Sequence, residues 1–436
     1  MNFISTKGTS ISSIEDALMS GTSEDGGLYM PESIPKINIE ELMSIDNYQE
    51  FSYQLLSHFF KDSSLEDDLK DIVNQAFNFP VVSKEYSEGE VEYSVLELFH
   101  GPTAAFKDFG ARFLASTMSE LVKNKNESSL TTILVATSGD TGGAVASAFN
   151  NKAGFKVVIL FPKGRVSPRQ KHQLTCWGDN VVSIEVDGEF DDCQRLVKEA
   201  FNNQQLSKEH NLCSANSINI GRLLPQSTYY AWTALNRYKT HEDSSSFIIP
   251  TGNLGNAFAC FMAKEMGFPI HQIVFATNAN KTIPDFIATG KWEPRPTLPT
   301  LASAMDVGNP SNMERFFNQY SDEKELLENL EAYIVEDTQI NEEIFSVFKN
   351  NNIAICPHTA TGFNAFKNLP SSALNQSHWV LVSTAHPAKF ENIVEPIIGT
   401  KVEIPENLKT ILNLDTSYHA IGKDLESLIP YLASNA

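Results

Sequence analysis

Residues 99–110 read Phe-His-Gly-Pro-Thr-Ala-Ala-Phe-Lys-Asp-Phe-Gly and place Lys107 between two phenylalanines, just after a Gly-Pro turn. Lysine is usually exposed, because removing an ammonium from water costs free energy or lowers its pKa. A lysine in an aromatic setting is therefore a candidate for a desolvated amine that attacks a carbonyl carbon. The same pattern also fits a structural lysine that extends to solvent from a helix whose Phe109 and Phe113 pack inward. The lysine alone leaves both interpretations open.

Two glycine-rich turns elsewhere in the chain favour the reactive lysine. Residues 131–137 are a β-branched apolar run that predicts a buried parallel strand, and Ser-Gly-Asp-Thr-Gly-Gly at 138–143 leads from it into a helix. Residues 246–251 repeat this pattern, with Gly-Asn-Leu-Gly-Asn at 252–256 before the next helix. Such a turn points backbone N–H groups at an anion. The first turn lacks the G-x-G-x-x-G spacing of dinucleotide sites and the lysine of a P-loop, and such a turn can also serve only as a tight connection between strand and helix.

The lysine motif resembles that of the threonine synthases, a family of pyridoxal-phosphate enzymes of fold type II. The resemblance rests on His-Gly-Pro-Thr at 100–103, Phe-Lys-Asp-Phe-Gly at 106–110 and Arg-Phe at 112–113. It extends to Asp-Gly-Gly-Leu-Tyr-Met-Pro at 25–31 and Ser-Ala-Met-Asp-Val-Gly at 303–308. Nearly the whole chain is therefore covered by the resemblance.

The resemblance implies an α/β fold with two doubly wound α/β domains and a small N-terminal domain. The implied ranges are 1–90 for the N-terminal domain, 91–111 and 221–436 for the large domain that binds pyridoxal phosphate, and 112–220 for a smaller mobile domain. Within these ranges the residue patterns predict helices over 39–60 and 65–77, an ordered proline-rich loop over 290–312, and two solvated helices in the acidic stretch 322–343.

The resemblance also implies roles for individual residues. Lys107 would be the catalytic amine that joins the aldehyde of pyridoxal 5'-phosphate. The cofactor-binding residues would be Lys107, Gly252, Asn253, Leu254, Gly255, Asn256 and Thr384, with the Thr384 hydroxyl as a neutral partner of the pyridine nitrogen. Ser138, Gly139, Asp140 and Thr141 would hold the substrate carboxylate. The candidates for binding the substrate phosphate are Lys163, Ser167, Asn216, Ser217 and Arg222.

The implied activity converts O-phospho-L-homoserine and water to L-threonine and phosphate. The nearest alternative is a phospho-lyase that releases 2-oxobutyrate from the same substrate. A serine or threonine dehydratase of the same fold type is a weaker alternative, because it does not account for the segments at 25–31 and 303–308. A nucleotide-dependent oxidoreductase would use the two turns without Lys107, and a non-catalytic family member is also conceivable.

Composition limits the partners and the location. The formal net charge of -21 argues against nucleic acid or an anionic membrane, although local cations can still bind a small anion. The five cysteines contain no C-x-x-C pair, and we expect reduced, buried thiols. A secretory signal, a membrane-spanning run and metal-ligand spacing are all lacking, so we expect a metal-free cytoplasmic enzyme, monomeric or homodimeric.

Overall fold

The computed structural model describes residues 1–8, 10–125, 130–320 and 322–433. Its strands are, in chain order, β1 (Phe3–Ser5), β2 (Ile11–Ser12), β3 (Tyr29–Pro31), β4 (Val82–Glu88), β5 (Val91–Glu97), β6 (Thr131–Ala136), β7 (Phe155–Pro162), β8 (Val181–Val186), β9 (Leu212–Cys213), β10 (Ser245–Pro250), β11 (Ile270–Thr277), β12 (Glu331–Ile334), β13 (His378–Ser383) and β14 (His419–Ile421). Short 3₁₀ helices span Ile39–Leu42, Ser303–Met305 and Pro387–Phe390.

The helices lie between and around these strands. They are α1 (Ile14–Ser20), α2 (Tyr48–Phe60), α3 (Leu69–Ala76), α4 (Lys107–Lys125), α5 (Asp140–Phe149), α6 (Pro168–Thr175), α7 (Phe190–Asn202), α8 (Gln204–Glu209), α9 (Ile220–His241), α10 (Gly255–Glu265), α11 (Thr282–Thr289), α12 (Met313–Gln319), α13 (Glu323–Glu328), α14 (Asp337–Asn351), α15 (Pro357–Lys367), α16 (Ser371–Leu374), α17 (Glu391–Ile398), α18 (Glu406–Leu412) and α19 (Leu425–Ala433). Among the described residues, none of these helices is both long enough and apolar enough to span a bilayer.

The described strands form two large sheets and one small sheet. One large sheet has the order β12-β11-β10-β13-β5-β4, and in it only β4 is antiparallel to its neighbour. The other has the order β14-β8-β7-β6-β9 and is parallel throughout. The small N-terminal sheet, β2-β1-β3, is antiparallel. Strands β6 and β7 are buried along their whole length, as expected for apolar parallel strands with helices on both faces. The predicted α/β fold with an N-terminal domain is confirmed.

The leading helices fix the position of α4, which begins at Lys107. Phe60 of α2 contacts Phe113 with ring centroids 5.8 Å apart, and Phe77 contacts Phe109 at 5.8 Å. Both α4 phenylalanines are fully buried, which confirms the prediction that they pack inward. The aromatic residues around the lysine motif therefore anchor the helix whose first residue is the lysine.

Two predicted elements are wrong in detail. The segment 39–60 is a 3₁₀ helix and a separate α-helix, α2, rather than one continuous helix. The acidic stretch 322–343 contains β12 between its two helices, and β12 pairs with β11 at the edge of the large sheet. Charged residues are common in edge strands, so the acidic composition of this segment concealed a half-buried strand.

Two strands lie outside the sheets that the predicted domain ranges suggest. β4 falls within the range 1–90 but pairs with β5 of the six-stranded sheet. β14 falls within the range 221–436 but pairs with β8 of the five-stranded sheet. Both are edge strands, and each pairs with a neighbouring strand on one side only. The sheet that such a strand joins is set by the sheet edge that the chain reaches in space, not by its position in the sequence.

Candidate active site

Lys107 is the first residue of α4, and a tightly bonded turn holds it there. The Asp108 carboxylate accepts hydrogen bonds from the Thr103 N–H at 2.9 Å and the Thr103 hydroxyl at 2.7 Å. A Cβ atom at Gly101 would lie 2.5 Å from that carboxylate, so only glycine fits there. Ala104 in the same turn has φ 55°, a left-handed conformation that is uncommon outside glycine and clusters at functional sites.

The Lys107 amino group faces a mixture of charges. Its Nζ donates a hydrogen bond to the Thr141 hydroxyl at 2.9 Å. Burial lowers the pKa of Lys107 to about 8; Asp140 opposes this shift, whereas Arg222 and Lys389 add to it. A substantial fraction of this amine is therefore neutral near physiological pH, which supports the desolvated amine over the solvent-extended lysine.

The first glycine-rich turn joins β6 to α5 and carries a buried charge. The Thr137 hydroxyl accepts the Gly139 N–H at 3.0 Å and the Gly142 N–H at 2.9 Å, which closes the turn. Asp140 forms an ion pair with Lys389 at 3.0 Å, and both side chains are almost fully buried. Burial opposes ionisation of Asp140, but nearby Lys389, His358 and Lys107 outweigh it and lower its pKa to about 2. Asp140 is thus a permanent anion beside the amine.

The second glycine-rich turn joins β10 to α10 and carries no charged side chain. Leu254 has φ 61°, a left-handed conformation, and directly precedes the first residue of α10. Asn253 donates to the Ser217 hydroxyl at 2.7 Å and accepts the Ser311 N–H at 2.6 Å. The Asn312 side chain donates to the Asn253 carbonyl at 2.8 Å. The turn is therefore braced from outside, while its backbone N–H groups and the helix N-terminus suit an anion.

Thr384 follows β13 and lies beside the lysine turn. Its carbonyl accepts the Phe106 N–H at 2.8 Å, and its side chain is buried. Close by, Lys389 donates to the Thr103 carbonyl at 2.7 Å as well as pairing with Asp140. The buried Lys389 ammonium therefore joins the lysine turn to the first glycine-rich turn, and the Phe106 N–H joins the lysine turn to the end of β13.

Two adjoining cavities meet at Lys107. A cavity of about 550 Å³, within the usual range for small-molecule sites, is lined by Lys107, Ser138, Thr141, Asn216, Ser217 and Asn253 among the predicted residues. A narrower pocket shares Lys107, Thr141, Ser217 and Asn253 and continues to Asp140, Arg222, Gly252, Leu254, Gly255, Asn256 and Thr384. Most residues that the sequence assigned to the cofactor and the substrate are thus brought together.

Three predicted site residues line neither cavity. Gly139 lies against the Gln170 side chain, which a Cβ atom would approach to 2.5 Å. Lys163 is exposed and pairs with Asp187 at 3.2 Å. Ser167 is buried, caps the N-terminus of α6 and donates to the Lys389 carbonyl at 2.6 Å. Gly139 and Ser167 therefore position neighbours of Asp140, whereas Lys163 contacts solvent.

Several residues at the cavities were not assigned from the sequence. Gln226 and His358 line the narrow pocket, and Arg295 and Asp306 line the larger cavity. Burial raises the pKa of Asp306 to about 7, although Thr300 and Asn278 donate hydrogen bonds to it. Asp306 lies in the segment 303–308, which the family resemblance had marked without assigning a role.

Comparisons with known proteins agree with this geometry. The family model described as pyridoxal-phosphate dependent enzyme matches residues 78–385, and models of the threonine synthase N terminus and C terminus match residues 2–77 and 359–431. The threonine synthase of Buchnera aphidicola is 38% identical over 96% of both chains, and that of Escherichia coli is 36% identical over 95% of both.

Solved structures show the same similarity. The crystal structure of threonine synthase from Escherichia coli matches with a TM-score of 0.89, 34% identity and 99% coverage of both chains. The structure of pyridoxal-phosphate-bound threonine synthase from Brucella melitensis matches with a TM-score of 0.89 and 31% identity, covering 99% of this chain and 98% of that one.

Proposed function

The chain belongs to the threonine synthase family and has its pyridoxal-phosphate-dependent activity, and we propose that the side chains around Lys107 carry out the steps of that reaction. The reaction converts O-phospho-L-homoserine and water to L-threonine and phosphate. The observation that carries the proposal is the Lys107 amine, whose pKa is lowered to about 8 where two glycine-rich turns meet.

The narrow pocket fits the cofactor. A Cβ atom at Gly252 would lie 2.6 Å from the Met305 carbonyl oxygen, so the turn needs glycine to pass this close to the loop. We assign the cofactor phosphate to the N–H groups of the turn 252–256 and to the N-terminus of α10. The uncharged Thr384 hydroxyl is the partner of the ring nitrogen, because a neutral group does not hold that nitrogen protonated. Two buried nitrogens, His358 Nδ1 and Arg222 Nε, have no hydrogen-bond partner among the residues that the structure describes. Both belong to residues of the same pocket and favour a polar ligand there.

Lys107 moves the protons of the reaction. When bound, the cofactor supplies an aldehyde that joins amines and a ring that accepts electrons from the substrate. With the substrate in place, the free amine of Lys107 would take the proton from Cα. Its lowered pKa suits this exchange at neutral pH, because a general base works best when its pKa is near the operating pH. Thr141, hydrogen bonded to Nζ at 2.9 Å, orients the amine.

The substrate anions have separate sites in this proposal. The first turn, through Ser138 and Thr141, holds the substrate carboxylate. Asn216, Ser217 and Arg222 line the cavities and remain candidates for the substrate phosphate, which leaves from Cγ before water adds at Cβ. Arg295 joins them as a cation that lines the larger cavity. Lys163 and Ser167 have weaker support, because their contacts lie elsewhere.

We also infer the setting in which the enzyme works. The proposal is a cytoplasmic enzyme that acts on a small molecule and is a monomer or a homodimer. It includes closure of the segment 112–220 over the larger cavity. Asn202 and Ser214 of that segment line one side of this cavity, and Ser311 lines the opposite side. Sedimentation of the holoenzyme with and without substrate measures both the mass and any compaction.

The experiment that tests the proposal follows both the products and the site of attachment. Purified holoenzyme with O-phospho-L-homoserine should release threonine and phosphate in equal amounts, whereas the phospho-lyase alternative would release 2-oxobutyrate. Borohydride reduction followed by peptide mass spectrometry should place the cofactor on Lys107. Lys107→Ala should lose at least about 10³-fold in kcat/KM. A reduced cofactor on another lysine would overturn the assignment.

A further inference from the structure

Arg315 lies in the first turn of α12 and is a fully buried cation that donates to neutral acceptors. Its guanidinium donates to the Tyr29 carbonyl from Nε at 3.3 Å and from Nη2 at 3.2 Å, and to the Ile218 carbonyl at 2.7 Å. Burial lowers the pKa of Arg315 to about 9, and nearby Glu314 opposes this shift. A buried cation costs free energy, and apolar residues of similar volume often pack as well, so packing alone does not explain this arginine.

The acceptors of Arg315 come from three separate segments. Tyr29 belongs to the segment 25–31, which the sequence analysis marked without assigning a role to it. Ile218 lines the larger cavity. The third acceptor is the side-chain oxygen of Asn312, three residues before Arg315. The planar guanidinium holds these acceptors in fixed directions, which an ammonium on a flexible chain does not.

The contact with Arg315 sets the orientation of the Asn312 amide. Because the amide oxygen accepts from Arg315, the amide nitrogen is directed at the second glycine-rich turn, where it donates to the Asn253 carbonyl at 2.8 Å. Asn312 is fully buried, whereas Asn253 lines both cavities. The amide therefore holds the turn from behind, on the side away from the cavities.

Fixing the Asn253 carbonyl also fixes the N–H that follows it. In a trans peptide the carbonyl and the next N–H point in opposite directions, so the Leu254 N–H points away from Asn312. Leu254 lines the narrow pocket. The bond from Asn312 thus turns a backbone donor of the second turn toward that pocket.

We propose that Arg315 is a positioning residue for the second glycine-rich turn, which acts through Asn312 to direct the Leu254 N–H at an anionic group in the narrow pocket. The N-terminal segment 25–31 takes part, because it supplies an acceptor that holds the guanidinium, although the residues lining this pocket lie within the range 106–384. This inference rests on the proposed function only in placing the cofactor phosphate at the second turn.

The test compares two ligands of the cofactor-free full-length protein, pyridoxal 5'-phosphate and pyridoxal. Both carry the aldehyde that joins Lys107, but only the first carries the phosphate. We expect Asn312→Ala to weaken binding of pyridoxal 5'-phosphate about 10-fold and Arg315→Lys, which keeps the charge but loses the fork, about 2–10-fold. Pyridoxal should bind both variants within about 2-fold of wild type. A purely structural role would weaken both ligands alike.

A double variant and a matched control test the route of the effect. Arg315→Lys/Asn312→Ala should bind pyridoxal 5'-phosphate no more weakly than Asn312→Ala, because Arg315 acts through that amide. The control is Asn318→Ala in the same helix, whose amide donates to the Thr6 carbonyl of the N-terminal sheet at 3.4 Å. It should bind both ligands within about 2-fold of wild type. Additive losses in the double variant, or a loss in the control equal to that in Asn312→Ala, would overturn the proposal.

A measurement on the wild-type protein covers the case in which a variant fails to fold. Coupling between two sites is reciprocal, so pyridoxal 5'-phosphate should slow amide hydrogen exchange over residues 27–31 more than pyridoxal does. Equal effects of the two ligands would contradict the proposal. Equal affinity of wild type for both ligands would overturn the phosphate placement itself, whereas a wild-type preference that survives in Asn312→Ala would overturn this inference alone.

Discussion

The two glycine-rich turns share one framework but differ in their electrostatics. Each follows a buried parallel strand, leads into a helix, and is closed by the threonine at the end of its strand. Thr137 accepts backbone N–H groups of its turn, and Thr251 donates to the Asn256 side chain at 2.8 Å. A threonine hydroxyl thus closes both turns, although it accepts hydrogen bonds in the first turn and donates one in the second.

The difference lies in what each turn carries. The first contains Asp140, an anion paired with the buried Lys389 and close to the Lys107 amine. The second contains only amides, glycines and Leu254. Neutral N–H groups are sufficient to hold a phosphate, because the ligand brings the charge. A charged group, in contrast, changes the protonation of a nearby lysine, and Asp140 opposes the lowering of the Lys107 pKa by burial. In our proposal the second turn binds the cofactor phosphate, whereas the first turn binds the substrate carboxylate and also carries the charge that acts on Lys107.

The largest expected effect comes from removing the charge in the first turn. Asp140→Asn leaves Lys389 buried without its carboxylate partner, so we expect the free energy of unfolding of the cofactor-free protein to fall by about 3–5 kcal/mol. Urea unfolding measures this. The double variant Asp140→Asn/Lys389→Met should recover much of the loss, because the uncompensated charge is gone. If Asp140→Asn alone is as stable as wild type, the ion pair does not contribute to the free energy of unfolding.

The second prediction concerns the pH at which Lys107 reacts. With a pKa of about 8 instead of 10.5, half of the amine is neutral at pH 8, a gain of about 100-fold or more over an ordinary lysine. The rate at which cofactor-free protein combines with pyridoxal phosphate should therefore rise with pH up to about 8 and then level off. Because Asp140 raises the pKa of Lys107, Asp140→Asn should move the midpoint to lower pH. A midpoint near 10.5 in wild type would contradict the prediction.

The third prediction tests the second turn. Gly252→Ala places a Cβ atom 2.6 Å from the Met305 carbonyl oxygen, so the turn or the loop 303–308 must shift, and we expect cofactor binding about 10-fold weaker. The matched control is Gly143→Ala beside the first turn, where the new Cβ lies 3.5 Å from Gln173, an ordinary contact. Fluorescence titration with pyridoxal phosphate compares them. If the two variants bind pyridoxal phosphate with equal affinity, the close approach of Gly252 to Met305 is not needed for cofactor binding.

The smallest effect is expected among the residues predicted to bind the substrate phosphate. Lys163→Ala removes an exposed ion pair and should change kcat/KM less than about 2-fold. Asn216→Ala removes a side chain that lines the larger cavity and should lower kcat/KM about 2–10-fold. Steady-state kinetics with O-phospho-L-homoserine distinguishes them. A loss in kcat/KM larger than about 2-fold in Lys163→Ala would indicate that Lys163 contacts the substrate.

Local features of the site were predictable from the sequence. The strand, turn and helix around residues 138–143 and 252–256 involve neighbours along the chain, so residue type and spacing carry the signal. Lys389 was missed as a site residue because its partner Thr103 lies 286 residues away. It lies in the apolar segment Pro387–Phe390, so the signal that identified Lys107 was present there too. The edge strands β12 and β14 were also missed. Each is a strand because it pairs with another strand, and that partner is distant in the sequence.

The sequence by itself predicted which amine reacts and where the two glycine-rich turns lie along the chain, because those features depend on residue type and short-range backbone geometry. Only the tertiary structure decided their charge states. The lowered pKa of Lys107, the ionised Asp140 and the neutral His358 all follow from burial and from charges on distant segments. Electrostatic interactions depend on distance in space and on exclusion of water, and neither is encoded at any one position of the chain.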